Sequence, residues 1–188
     1  MRLKQPRVPV LPESEWDDDT RELLEKLRRN GQVFNIFKTL ARHKQLFSKW
    51  LVFAGHTLSQ STLPARDREI VILRMGWLSQ AEYEWRHHKA IGRQIGLDDD
   101  DFGIIQRGPE APGIDPFEAT LLRAVDELNT DTFISDETWS ALAERYDAQQ
   151  MLDLIFTAGQ YKLVSMVLNS TGIQLEEGFE GFSDETKG

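Results

Sequence analysis

Leu63-Pro64-Ala65-Arg66-Asp67-Arg68-Glu69-Ile70-Val71-Ile72-Leu73-Arg74-Met75-Gly76-Trp77-Leu78 is the stretch on which the fold class turns. Its centre, Ile70 to Leu73, is an unbroken run of β-branched residues and leucine, a pattern shared by buried strands and buried helices. The flanks favour a helix. Pro64 suits a first helical turn, where no backbone N–H is needed, and charged residues crowd that turn. The apolar pattern then runs to Leu78, longer than an ordinary strand.

On either side the pattern is also helical. Leu23, Leu24 and Leu27 share one face over Asp18 to about Arg29, closed by Asn30-Gly31. Short helices follow around Val33 to Leu40 and Gln45 to Leu58. Ala81 to about Ile95 forms another, with Gly96 as its stop. Asp98 to Asp101 heads a short helix; an acidic run there fits the helix dipole and lacks the alternating spacing of a calcium loop. Asp115-Pro116 and Ser135 open two more, the second turning Trp139 and Leu142 inward. The last, about Ala148 to Ser170, is apolar on most faces, so it is central or lies between subunits. No period-2 segment of any length occurs. The chain reads as an all-α helical bundle. Residues 1–15 form an extended arm, 16–175 a single domain, and 176–188 an acidic tail. Pro6, Pro9 and Pro12 keep the arm out of helix, and a neighbouring subunit is the expected surface for it.

Composition narrows the function. The 188 residues carry a formal charge of −9, with 31 acids against 22 bases, which disfavours nucleic acid and anionic membranes as partners. No apolar run is expected to span a bilayer, and the basic, proline-rich start lacks the apolar core of a signal peptide, so a cytoplasmic protein is expected. There is no cysteine. Disulfides, zinc–thiolate sites and thiol nucleophiles are therefore excluded for this chain.

One segment concentrates titratable residues in a half-buried helical context: Ala81-Glu82-Tyr83-Glu84-Trp85-Arg86-His87-His88. Glu84 and His88 are i, i+4 on one face, the better orientation for a carboxylate and a base. A carboxylate beside an imidazole raises its pKa and orients it, as general acid–base work requires. His87 and His88 point about 100° apart, and Ile91 and Ile95 make His88 the more inward. The same spacing also fits an ordinary surface ion pair. A metal site on Glu84, His87 and His88 is disfavoured, because one helix does not turn all three toward one ion. Tyr83, Trp85, His87 and His56 are the candidate substrate-binding neighbours, and no cofactor or metal is expected. Arg74 and Arg86 can each receive a substrate carboxylate or pair with a local acid.

Arg68-Glu69-Ile70-Val71-Ile72-Leu73, then Ala81 to His88, then Gly96-Leu97, resemble the carboxymuconolactone decarboxylase family, which includes the AhpD-like alkylhydroperoxidases. The resemblance implies an AhpD-like helical bundle assembled as a homo-oligomer, a trimer or hexamer. The redox branch carries Cys-x-x-Cys-x-x-x-His; His88 takes the histidine place, and the cysteine places fall on Ala81 and Glu84. A thiol peroxidase cycle needs an attacking and a resolving thiol, so that activity does not carry over. That branch has its relay glutamate at the place of Glu69, while the decarboxylase branch has Glu and His at the places of Glu84 and His88. The resemblance implies a cofactor-independent decarboxylase, isomerase or lactone-type lyase acting on a small carboxylated or ring-derived compound. His88 would move the proton, oriented by Glu84 and relayed by Glu69. A non-catalytic ligand-binding or structural member of the scaffold is the alternative.

Overall fold

The computed structural model describes residues 3–29 and 31–176 and is all-α, with no strand among them. In chain order the helices are α1 (Asp18–Glu25), α2 (Asn35–Leu40), α3 (Lys44–Gly55), α4 (Ala65–Leu78), α5 (Glu82–Gln94), α6 (Asp99–Arg107), α7 (Pro116–Thr130), α8 (Asp136–Ala143) and α9 (Ala148–Thr171). The expected tail beyond Glu176 lies outside the described residues.

The ambiguous run is helix α4, and its apolar character follows from its position. It packs against α5, α7 and α9 at once, and Ile70 through Leu73 have essentially no exposure. A helix covered on every side has no polar face to give it a period. Local rules set the helix ends. Asp98 and Asp147 form capping boxes, and the side chains of Asp115 and Ser135 accept from backbone amides of the first turn. Gly96 supplies the left-handed residue after α5, with Leu97 N–H donating back to Gly92 O at 2.9 Å.

The α4–α5 reversal positions the site. After Ser79, Gln80 takes a positive φ of 53°; its N–H donates to Trp77 O, and Ala81 N–H donates to Gly76 O, both at 2.9 Å. This is the Schellman geometry of a helix end. It folds α5 back along α4 within three residues.

Five expectations need correction. α1 ends at Glu25, and α3 ends at Gly55, where a π-helical turn (His56–Gln60) takes over. Trp139 faces outward, and Thr138 and Leu142 are the buried residues of α8. The arm lies on its own chain. Arg7 and Val8 donate backbone bonds to Thr171 O, and the Arg42 guanidinium donates to Pro9 O and Val10 O. The end of α9 and the side of α2 thus offer acceptors and donors without a second subunit. Finally, α9 is apolar and long enough, by length and composition, to cross a membrane. In the structure its inward face packs on α4, α5, α7 and α8, with Leu154, Ala158 and Leu168 buried.

Buried Arg74 is a structural tie. Its guanidinium makes two bonds to Asp126, at 2.6 and 2.8 Å, and donates to Ile105 O and Gln106 O. Removing one partner of such a pair strands a charge, whereas an exposed pair contributes little. Asp126→Ala is expected to lower the unfolding free energy by about 3 kcal/mol. Glu110→Ala, which frees the exposed Arg123, is expected to cost under about 0.5 kcal/mol. Chemical denaturation of the two variants checks the contrast.

Candidate functional site

α4 contributes Glu69 and α5 contributes Glu84 and His88. The three converge. His88 Nδ1 lies 2.7 Å from Glu69 Oε2, and Nε2 lies 3.0 Å from Glu84 Oε1. The imidazole therefore bridges two carboxylates, one from each helix. Glu69 has no exposure, and Glu84 and His88 have 4% and 7%. Gly76 sits where α5 comes close; a methyl group there would lie 3.4 Å from Glu84 Cγ. The Tyr161 ring of α9 meets the His88 ring edge-on at 4.9 Å, and Arg68 Nε lies 3.5 Å from Glu69 Oε1.

The electrostatics follow from that geometry. Burial works to lower the His88 pKa, as for any cation. The charge of Glu69 and bonds to both carboxylates outweigh it and raise the value to about 10. At neutral pH the ring is an imidazolium donating through both nitrogens. Tyr161 is pushed well above the usual phenol value by burial and by the charges of Glu84 and Glu69, so it stays neutral.

The remaining sequence candidates go elsewhere. Trp85 is wholly buried against Trp77 and Phe102, a core residue with no place at the site. His56 stands on the π-helical turn, its Nε2 at 3.0 Å from Asp153 Oδ1. Asp153 also accepts from Thr62 N–H and Oγ1–H, which staples the α3–α4 connection to α9. Burial would raise the Asp153 carboxyl, but these bonds hold it below the usual carboxylate value.

Tyr83 and His87 share the adjacent face of α5 and form a second cluster. Their rings stack at 4.4 Å, and Phe34 meets His87 edge-on at 4.6 Å. Both side chains donate to one carboxylate, that of Glu176: Tyr83 Oη–H to Oε1 at 2.6 Å, and His87 Nε2–H to Oε2 at 2.7 Å. Sequence reasoning missed Glu176, because its partners are about ninety positions away and it stands at the head of an acidic segment. Among the described residues, no three His, Cys, Asp or Glu side chains are arranged to hold a metal ion.

A helical bundle whose second central helix carries a buried carboxylate–imidazole–carboxylate bridge defines the class. Residues 44–127 match the model of the carboxymuconolactone decarboxylase family. No curated protein matches the sequence. Among solved structures, the chain is similar to an AhpD-core, peroxidase-related protein from Ralstonia eutropha, at 19% identity over 92% of this chain and 93% of that one, with a TM-score of 0.80. A peroxidase-related protein from Silicibacter sp. gives 0.77 at 16% identity, covering 95% and 93%. The debrominase Bmp8, solved in complex with 2,3,4-tribromopyrrole, gives 0.72 at 13%, covering 93% and 94%. The fold is AhpD-like.

The sign of the pH dependence follows from the raised His88 value. The folded pKa lies above the unfolded one of 6.5, so the stabilisation is complete below about pH 6.5 and is lost as pH rises through about 10. Nitrogen-15 NMR of the ring is expected to show an imidazolium at pH 8 and a midpoint near 10. His88→Asn is expected to flatten the alkaline decline in stability. A ring that titrates below pH 7 contradicts the bridge.

Proposed function

We propose that the chain is an acid–base enzyme acting through its own side chains on a small carboxylated or ring-derived compound. The observation that carries this reading is the double engagement of His88. Both nitrogens are occupied, so the imidazole conducts a proton between Glu69 and Glu84 and does not itself meet the substrate. In the sequence expectation His88 moves the proton, with Glu84 orienting it and Glu69 relaying it. In the proposed reading Glu84 meets the substrate, and Glu69 reloads the ring.

In a decarboxylation, the carbon–carbon bond to the carboxylate breaks and carbon dioxide leaves. The electron pair stays on carbon, which takes a proton from Glu84; His88 replaces that proton, Glu69 returns one to His88, and the buried bridge regains a proton between turnovers. In an isomerisation, Glu84 removes a proton at one carbon and delivers one at another, with no net gain or loss of protons and with exchange through the bridge. Both routes need a proton store away from water, and the burial of the bridge supplies one. The small ring compound bound by the debrominase of like fold supports a substrate of that size.

A panel of small cyclic carboxylates and lactones in D2O, followed by proton NMR, tests the reading. Wild type is expected to release carbon dioxide from, or exchange deuterium into, at least one compound. Glu84→Gln and His88→Asn are expected to slow it by about a hundredfold or more while keeping the helical circular dichroism. Turnover that survives both substitutions overturns the assignment. The closed state of the bridge favours a second reading, a scaffold that binds without chemistry. It predicts no turnover by wild type and only stability changes in the variants.

The same reading includes a homo-oligomer. Leu152, Phe156, Leu163 and Met166 stand in one stripe along the outer face of α9, each about half exposed, with Phe53 of α3 against Phe156 at 5.9 Å. A continuous apolar stripe of this kind fits a subunit contact. Light scattering is expected to show an assembly for wild type and a smaller species for Phe156→Asp. An unchanged mass places the contact elsewhere.

A further inference from the structure

Glu176 sits in its surroundings as a ligand sits in a receptor. Three donors converge on its two oxygens: Asn35 N–H at 2.6 Å and Tyr83 Oη–H at 2.6 Å on Oε1, and His87 Nε2–H at 2.7 Å on Oε2. The Tyr83 hydroxyl accepts in turn from Ile36 N–H at 3.3 Å. Phe34 and Tyr83 wall the His87 ring on its edge and face. Burial would raise the Glu176 carboxyl, but the bonds from His87, Tyr83 and Asn35 hold it below the usual carboxylate value, so it is ionised at neutral pH. These are the features of a carboxylate site: directed donors, a dry wall, and a fixed charge preference.

The occupant is held by less than the receptor is. Tyr83 and His87 belong to α5, and the Asn35 amide to the start of α2, both fixed by core packing. Glu176 belongs to a non-helical strap that follows Gly172, the left-handed residue ending α9. Besides Glu176, the strap is tied by Asn35 Nδ2–H to Gln174 O, by Gln174 Nε2–H to Leu3 O, and by the apolar contacts of Ile173 and Leu175. It can leave without breaking a helix.

We infer that Tyr83, His87 and the Asn35 amide form a binding site for a small carboxylate, which Glu176 occupies in cis and an external carboxylate enters by displacing the strap. Glu176 acts as a tethered competitor. A short tether gives it a local concentration on the order of millimolar, so the external ligand must be abundant or bind more tightly than a bare carboxylate. The site stands beside the Glu69–His88–Glu84 bridge on the same helix, yet it uses neither of the bridge's carboxylates. It therefore stands whether or not the bridge turns over a substrate.

Propionate is the probe, because it reproduces the end of a glutamate side chain. In Glu176→Ala, propionate is expected to bind saturably and raise the melting temperature, whereas chloride at equal ionic strength has no such effect. The further substitutions Tyr83→Phe and His87→Ala are expected to abolish that response. In wild type, amide exchange over Ile173–Glu176 is expected to quicken with propionate, by about tenfold at ten times its dissociation constant. Absence of propionate binding by Glu176→Ala overturns the site. So does binding that survives loss of Tyr83 and His87. If Glu176→Ala fails to fold, the wild-type exchange experiment decides alone: a strap whose exchange is indifferent to propionate makes Glu176 a fixed structural tie and overturns the displacement.

Discussion

A carboxylate with no solvent exposure, Glu69, stands in α4 beside the wholly buried run Ile70 to Leu73. Taking a lone carboxylate out of water costs several kcal/mol, so α4 can be buried only if a partner cation comes with the surroundings. The partner is His88, and its arrival sets much of the architecture. α5 must run back along α4, which the tight turn through Gln80 achieves. Glu84 must take the second imidazole nitrogen, which would otherwise be a buried donor without an acceptor. α9 then closes the bridge with the edge of Tyr161. The charge that makes the site chemically interesting is thus also what allows the central helices to pack.

α5 repeats the same device on its neighbouring face. Glu84 and His88 look toward α4, while Tyr83 and His87, one residue earlier in each case, look toward α2 and the strap. A step of one residue turns a helix by about 100°, so the two imidazoles serve different carboxylates without sharing either. Glu69 comes from the core and Glu176 from beyond the last helix. The helix is consequently held between a permanent partner and a removable one.

Much of this was legible in the sequence. The helix class of α4 followed from Pro64 and the charged first turn, and the i, i+4 relation of Glu84 to His88 is a local fact that survives folding. The convergence of Glu69 needed the family resemblance, because nothing in its spacing from His88 fixes how two helices pack. What stayed hidden was long-range. Trp85 lies beside the right residues in sequence yet turns into the core, since neighbours on a helix face different ways. His56 pairs with Asp153, a partner ninety-seven positions away. Glu176 was hidden by composition, because an acidic residue leading an acidic segment reads as solvated. The arm was misread for a related reason: prolines forbid helix, but they do not say which surface supplies the acceptors.

The places that the redox branch gives to cysteine deserve a physical reading in this chain. Ala81 is fully buried at the start of α5, and Glu84 is bonded to the imidazole. A thiolate at the second place would leave the histidine with one carboxylate and a soft nucleophile. A glutamate there leaves it between two hard, acceptor-only groups. That exchange removes electron-transfer chemistry and raises the proton affinity of the ring, since a second carboxylate adds to the field of the first. An imidazole that holds its proton to about pH 10 is almost wholly the cation at neutral pH, so little free base is present to act alone. In the proposed reading it conducts a proton between the two carboxylates that flank it, and the direction of flow is set by whichever carboxylate the substrate meets.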